Sequence, residues 1–269
     1  MPKLLSEEQV ARFRDDGYIG GIRVLSPGEA ADILQALEDW ERRSGKVARE
    51  FLRGKAHLLL KVLSDLTHHP KMVDAIEDVM GSDLLCIESG FFWKKARDPS
   101  YVTWHQDNSY LKLDPPVSLV TWVALTDSKR DNGALQVIPG THRHGALPYD
   151  MVDGENNMLR FSREVRGIDS ATAVTVELDA GEMSMHFNGV VHGSEPNTSD
   201  RPRVGWTVVC APPHVRPGVE GFMSGTLLRG RNDGRIFADE PIPRFDFDPV
   251  SVEAYDRAME GPTKIYKAK

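Results

Sequence analysis

Cysteine is scarce in this chain. Two in 269 residues, Cys86 and Cys210, both inside apolar runs, are too few for a disulfide framework. They are expected as reduced core thiols that pack as small hydrophobes, in a cytoplasmic protein. Long apolar runs are also missing: nothing approaches the roughly 20 residues needed to span a bilayer, and the start, MPKLLSEEQVARF, has no basic stretch leading into an apolar one. A soluble protein away from membranes is expected. Positive charge is short as well. With 33 Lys and Arg against 40 Asp and Glu, a net charge of −7 and no long run of either sign, the chain has no electrostatic footprint for nucleic acid. Neither internal repeats nor low-complexity segments occur.

What is present is enough apolar residue, 40%, for a substantial core, and a single domain over 1–269 is expected. The first third, 1–82, reads as helical. Ser6 with Gln9, and Ser26 with Pro27 and Glu29, are capping-box patterns. After the second, Ala30, Ile33, Leu34, Leu37 and Trp40 recur at helical spacing, and another helix is predicted from Pro70 to a stop at Gly81. From Leu84 the character changes. Short apolar runs, LLCIESGFFW, VSLVTWVAL, ALQVI, AVTVEL and VGWTVVCA, are separated by Gly, Pro, Asn and Asp. Strands this dense, without helices between them, predict an antiparallel sandwich or barrel over 83–215, with a C-terminal extension over 216–269. The polar connection from about Pro148 to Ser170 is long enough to read as a lid or insertion, or as a plain surface loop.

The chemistry begins at VTWHQDNSY. His105 and Asp107 are two apart, and on a strand that spacing sends both side chains to one face. Alone the pair is weak, since nine histidines and 40 acidic residues produce such triplets by chance. His192 in MHFNGVVHGSEPN, placed where a strand would end beside a turn, is the candidate third ligand. Two histidines and one carboxylate leave open positions on an octahedral metal, as in non-haem Fe(II) oxygenases. Downstream, Ser194 and Arg203 bring a hydroxyl and a guanidinium toward the same region. A dicarboxylate chelating the metal at one end, such as 2-oxoglutarate, needs a forked cation at the other, and Arg203 fits that need better than Arg201 because it opens the strand.

These motifs, taken in order with DGY near residue 17, VMGSDLL, FFWKK, TWVALTDSKRDNGALQVIPGTHRHG and HGSEPNTSDRPR, resemble the phytanoyl-CoA dioxygenase family of 2-oxoglutarate oxygenases over nearly the whole chain. The resemblance implies a mainly β fold with flanking helices, a double-stranded β-helix or jelly-roll barrel. It implies Fe(II) on His105, Asp107 and His192, and the distal carboxylate of 2-oxoglutarate on Arg203 with help from Ser194. Trp122 is implied as a wall beside the cosubstrate, with Gln136 and Lys94 facing the same pocket. The implied reaction couples oxidative decarboxylation of 2-oxoglutarate, giving succinate and CO2, to hydroxylation of a small or medium-sized, partly apolar molecule by O2. A carboxylate ligand at Asp107 argues against halogenation; desaturation, epimerisation and ring formation stay open.

Other positions carry weaker readings. His186, Asn108 and Phe92 are substrate candidates, with a packed strand residue as the alternative for His186 and core packing for the neighbouring Tyr110. Phe91, Trp93, Met185 and Phe187 make up the expected apolar lining. His142 reads as fixing a turn, His68 and His69 as solvent-facing, and Arg229 and Arg231 as a solvated loop or an anion contact. Two other classes of function compete: a metal-containing jelly-roll that binds a small molecule without turning it over, and a zinc-type hydrolase or isomerase on the same ligands. An Arg203 site for 2-oxoglutarate discriminates against both. The substrate and the oligomeric state are not legible in the sequence.

Overall fold

The Ser6 N–H donates to Gln9 Oε1 and the Gln9 N–H to Ser6 Oγ, and this reciprocal cap starts helix α1, Glu7–Asp16. The computed structural model describes residues 2–52, 54–159 and 162–260, with Leu111 described in its backbone only. A second capping box at Ser26 and Glu29 starts α2, Pro27–Ser44, with Pro27 in its first turn. Between them lies a strand, β1, Tyr18–Arg23. Short α3, Ala48–Phe51, and α4, Lys61–Thr67, lead to α5, Pro70–Met80. The strands follow: β2, Leu84–Lys94; β3, Val102–His105; then, after α6, Asn108–Leu111, β4, Leu119–Ala124, and β5, Leu135–Ile138. Next come β6, Tyr149–Val152, β7, Ser162–Val165, β8, Val174–Val176, β9, Glu182–Phe187, and β10, Val191–Ser194. The chain continues through β11, Arg203–Ala211, β12, Ser224–Arg229, and β13, Ala238–Asp239, to α7, Pro249–Glu260.

Seven strands form one sheet in the order β1-β9-β4-β11-β2-β12-β13, and four form a second, β3-β10-β5-β8. Two cores explain the layering. One face of the large sheet buries Leu119, Val123, Met183, Met185, Trp206 and Val208 against Phe13, Ile33, Leu37, Met72 and Ile76 of the N-terminal helices. The other face contributes Trp122 and Ala124 to a core shared with Val137 and Val176 of the small sheet. β4 is therefore buried along its whole length, which is why its sequence reads as an unbroken apolar run rather than an alternation. This is the jelly-roll arrangement of two facing sheets with flanking helices; among the described residues the two sheets do not join into a closed barrel.

Three boundaries differ from the sequence expectation. The helical third contains β1, which pairs with β9 at the edge of the large sheet, because Gly20 and Gly21 interrupt its alternation and hide the strand. The C-terminal extension supplies β12, which pairs with β2, so it continues the sheet rather than following it. Residues 261–269 of that extension lie outside the described residues. The polar stretch 148–170 contains a two-stranded hairpin of β6 and β7, within a connection that is otherwise irregular among the described residues.

Candidate active site

Period-two alternation decides which side chains meet between the sheets. Since Val204, Trp206 and Val208 of β11 pack toward the helices, Arg203, Thr207 and Val209 face the small sheet; on β9, Met183 and Met185 go to the helices and His186 inward. The inward face borders a cavity of about 780 Å³ that includes His105, Asp107, His186, His192, Ser194 and Arg203. That volume suits a drug-sized ligand.

His105 closes β3 and is the direct antiparallel partner of His192 on β10, so the two imidazoles stand side by side with ring centroids 4.1 Å apart. Here the sequence reading needs correcting twice. Asp107 is not on the strand: β3 ends at His105, and Asp107 adopts helical dihedrals of −62° and −36° ahead of α6. His192 is the second residue of a strand, β10, rather than the point where one ends beside a turn. The carboxylate nevertheless reaches both rings, with Oδ1 3.4 Å from His105 Nε2 and Oδ2 3.7 Å from His192 Nε2. One ligand atom from each of the three residues fits within 4.8 Å of the others.

Backbone carbonyls fix the ring orientation. His105 Nδ1 lies 2.8 Å from the Thr103 carbonyl and His192 Nδ1 2.9 Å from that of Val190. Both Nδ1 atoms therefore carry the proton, and both Nε2 lone pairs point at Asp107. Burial works to raise the Asp107 pKa, but His192, His105 and His186 outweigh it and hold the carboxyl well below the usual range. Burial, with His105 adding to it, holds His192 well below its usual value. A neutral imidazole and an ionised carboxylate are the forms a metal requires. Asp107 Oδ2 is buried without a hydrogen-bond partner, as is His186 Nε2, 3.4 Å from it. The donor set, two nitrogens and a carboxylate around an unsatisfied oxygen, fits a divalent iron-type ion.

Arg203 opens β11 and is only 3% exposed. Burial alone pulls its pKa down to about 10, and among the described residues no carboxylate pairs with it. Its guanidinium carbon lies 5.1 Å from the Trp122 ring centre, and Nε has no partner. Gly205 makes this possible, because a Cβ there would fall 1.9 Å from the Trp122 ring. Across the ladder from Arg203 stands Lys94, whose ammonium donates to Ser194 Oγ at 2.8 Å and to the Glu195 carbonyl. Burial, and then the neighbouring Arg203, bring the Lys94 pKa down to about 7. A cation held this way, beside a hydroxyl and an indole wall, is built to receive an anion.

Of the remaining candidates, Phe92, Asn108, Tyr110, Phe91 and Trp93 border the cavity. Asn108 Oδ1 is already committed to the Leu113 N–H at 2.9 Å. Gln136 is not among the lining residues: its neighbours Leu135 and Val137 pack inward beside Trp122, so alternation turns Gln136 outward. Met185 and Phe187 likewise join the helix-side core instead of the cavity. His142 bonds the Arg14 carbonyl at 3.0 Å, tying its turn to α1. His68 and His69 are half-buried rather than solvent-facing, because the short α4 packs them at a helix junction. Arg229 pairs with Asp74 at 2.6 Å and with Glu77, joining β12 to α5, and Arg231 is exposed. Glu88 in β2 escaped the sequence reading; its one signal is an acidic residue inside the apolar run LLCIESGFFW.

The site can be set beside known proteins. The chain is 28% identical over 147 residues to phytanoyl-CoA dioxygenase of Arabidopsis thaliana, a match covering 55% of this chain and 51% of that protein. The chain thus spans about half the length of the first curated relatives it matches. Ectoine dioxygenase of Nocardia farcinica is 26% identical over 236 residues, covering 73% and 74%. Among solved structures, the apo form of ThoJ, a non-heme monooxygenase, superposes with a TM-score of 0.84 and 32% identity over 96% of this chain and 97% of that one. Residues 13–205, which carry the His–Asp–His cluster and Arg203, match the family model described as Phytanoyl-CoA dioxygenase (PhyH), and the chain belongs to that family.

Proposed function

We propose that the protein is an Fe(II)- and 2-oxoglutarate-dependent oxygenase acting on a small or medium-sized, partly apolar molecule, with release of succinate and CO2. His105, Asp107 and His192 hold the iron, Arg203 receives the distal carboxylate of 2-oxoglutarate, and Ser194 and Trp122 border that end; Lys94 is not among the lining residues and stands behind Ser194, its ammonium on the Ser194 hydroxyl. When bound, iron activates O2 with electrons from 2-oxoglutarate for insertion into a C–H bond. The chain's own part is to aim both imidazoles through their Nδ1 hydrogen bonds, to hold the cosubstrate by its far end, and to exclude water. The observation that carries this reading is the unpaired Arg203 guanidinium in the same cavity as the three-residue cluster. A bare metal-containing binder, or a zinc hydrolase, has no use for a second, anion-seeking end. The dioxygenase and monooxygenase names of the relatives agree with it.

We take the chain as one functional domain, since β1 and β12 from either end complete the sheet that bears the site. Cys86 and Cys210 are direct cross-strand partners, yet both are free, which fits a reducing, cytoplasmic home. Among the described residues no helix is long and apolar enough to cross a membrane. The test is succinate release in the presence of iron, ascorbate and oxygen. Release above a His105→Ala control, stimulated by some member of a broad substrate panel, is the expected result. Its absence across the panel removes the reading.

A further inference from the structure

Away from the three-residue cluster, and at the opposite end of the cavity from Arg203, stands an acidic residue with an unpaired oxygen among the described residues. Glu88 is 8% exposed and borders the cavity. Its Oε1 accepts from the backbone N–H groups of Lys55 at 2.9 Å and Ser89 at 3.0 Å. Its Oε2 is buried without a hydrogen-bond partner. The nearby ammonium of Lys55 is committed elsewhere, to Glu240 at 2.6 Å and to the Ser224 carbonyl at 3.0 Å. Among the described residues no cation pairs with Glu88. Burial accordingly lifts its pKa to about 7.

Sheet register gives the position. His186, Val120, Val209 and Glu88 are directly opposed across β9, β4, β11 and β2, and all four border the cavity. The row starts at the metal cluster, where His186 touches Asp107, and crosses three strand gaps, about 14 Å, to Glu88. Along β11 the Glu88 partner, Val209, is six residues from Arg203, or about 20 Å. The cosubstrate end and Glu88 are thus far apart, and the space between the metal cluster and Glu88 is left for the prime substrate. Gly54 and Gly90 border the cavity here and keep it open. A Cβ on Gly54 would come within 3.3 Å of Glu88 Oε1. The exposed Glu50 and Glu155 at the rim add negative charge at the mouth, while Arg49 there is paired with Asp98 at 3.1 Å.

We propose that Glu88 is the recognition residue for the prime substrate, and that this substrate carries a basic nitrogen, an amine or similar cation, remote from the carbon that is oxidised. The proposal rests on the oxygenase reading for which molecule is meant, but on Glu88 alone for its charge. Holding the loop at Lys55 needs only one carboxylate oxygen, and a glutamine would do it equally well. The second oxygen is buried against the protein, and a donor in the cavity reaches it through a small turn of the Glu88 side chain; a cation is the donor that recovers the desolvation of a buried carboxylate.

The test uses the full chain, kept anaerobic with iron and 2-oxoglutarate, and three matched probes: hexylammonium, 1-hexanol and hexanoate. Calorimetric titration should rank hexylammonium first, with at least a tenfold loss of its affinity in Glu88→Gln and no change for hexanol. Equal binding of the three, failure of hexylammonium to bind, or an unchanged affinity in the variant overturns the proposal. Should Glu88→Gln not fold, the carbon-13 carboxyl resonance of Glu88 in the unaltered protein serves instead. Its titration should move to lower pH on adding hexylammonium, and an unmoved titration overturns the proposal equally. The absorption band of the iron–2-oxoglutarate complex, recorded on the same samples, separates the two readings. Loss of the band with an intact Glu88-dependent amine preference would sink the oxygenase reading and leave Glu88 standing; the reverse would sink Glu88 alone.

Discussion

Replacing Arg203 by methionine should move two measurements in opposite directions. The side chain is buried and has no anionic partner among the described residues, so the chain bears the cost of a desolvated charge that a ligand relieves. A fall in pKa from 12.5 to about 10 corresponds to about 3 kcal/mol against the charged form. Methionine of similar volume removes that cost, and the ligand-free protein should melt several degrees higher, at about 2–4 °C per kcal/mol for a chain of this size. With 2-oxoglutarate the sign reverses. Truncating one member of a buried charge pair costs about 3–5 kcal/mol, or about 10²- to 10⁴-fold in affinity. Anaerobic titration of the iron-loaded protein, followed by its metal-to-ligand absorption band, reads the second effect, and calorimetry of the apo protein the first. Arg203→Lys should recover part of the affinity, because it keeps the charge but not the fork. Arg201, half-exposed and paired with Asp131 at 2.8 Å, should matter much less when changed to alanine. An Arg203→Met variant that binds 2-oxoglutarate normally, or a larger loss at Arg201, would refute the reasoning.

Asp107→Gly should abolish stoichiometric iron binding while leaving the fold intact, as read by metal analysis and circular dichroism; retained iron would mean that the carboxylate is not a ligand. The unaltered enzyme, incubated with saturating chloride, should give no chlorinated product by mass spectrometry. Lys94 has a folded pKa near 7 against 10.5 when exposed, so between these values the unfolded chain binds more protons and stability rises with pH. Lys94→Met should therefore be more stable than the parent below pH 7, an advantage that shrinks toward pH 10; a pH-independent difference contradicts the assignment. Glu240, buried against Lys55, is held far below its usual pKa, burial opposing and Lys55 and His57 outweighing it. Its stabilisation is full above the unfolded carboxylate value and is lost as pH falls toward the folded one. Glu240→Gln should cost about 3–5 kcal/mol at neutral pH by stranding the Lys55 ammonium, and denaturant titration at neutral and acid pH would register a gap that narrows on acidification.

How far the sequence carried depended on whether a signal was local. Capping boxes at Ser6 and Ser26 are complete within four residues, and both helices start where those residues stand. The apolar runs marked strands correctly because β propensity and burial coincide there. β1 was hidden, since a strand with glycine at 20 and 21 is held by its pairing to β9, some 160 residues downstream. The hairpin of β6 and β7 was hidden for a related reason: with Asp150 and Met151 exposed, its residues look like those of a loop. Only long-range pairing distinguishes the two.

The three-residue cluster was legible for a partly mistaken reason, and that bears on how such groups are brought together. The sequence argument placed His105 and Asp107 on one strand face, whereas Asp107 has already turned into α6. The turn serves the site better than a straight strand would. A carboxylate two residues along an extended chain is about 6.6 Å further on. Helical dihedrals instead fold Asp107 back, so that Oδ1 stands 3.4 Å from His105 and Oδ2 3.7 Å from His192 on the neighbouring strand. Gln106, between them, holds the turn from the other side: its amide donates to the carbonyls of Gly145 at 3.0 Å and Gly189 at 2.7 Å, and its oxygen accepts from Leu147 N–H at 2.9 Å. The second residue of the motif is therefore a structural tie to two other loops. Gln106→Ala should lower iron affinity without removing a ligand, whereas Gln106→Glu, which keeps the acceptor but loses the donor, should fall between the two. Metal affinity measured across this pair tests the point, and equal affinity in all three proteins would show that the turn is set by the backbone alone.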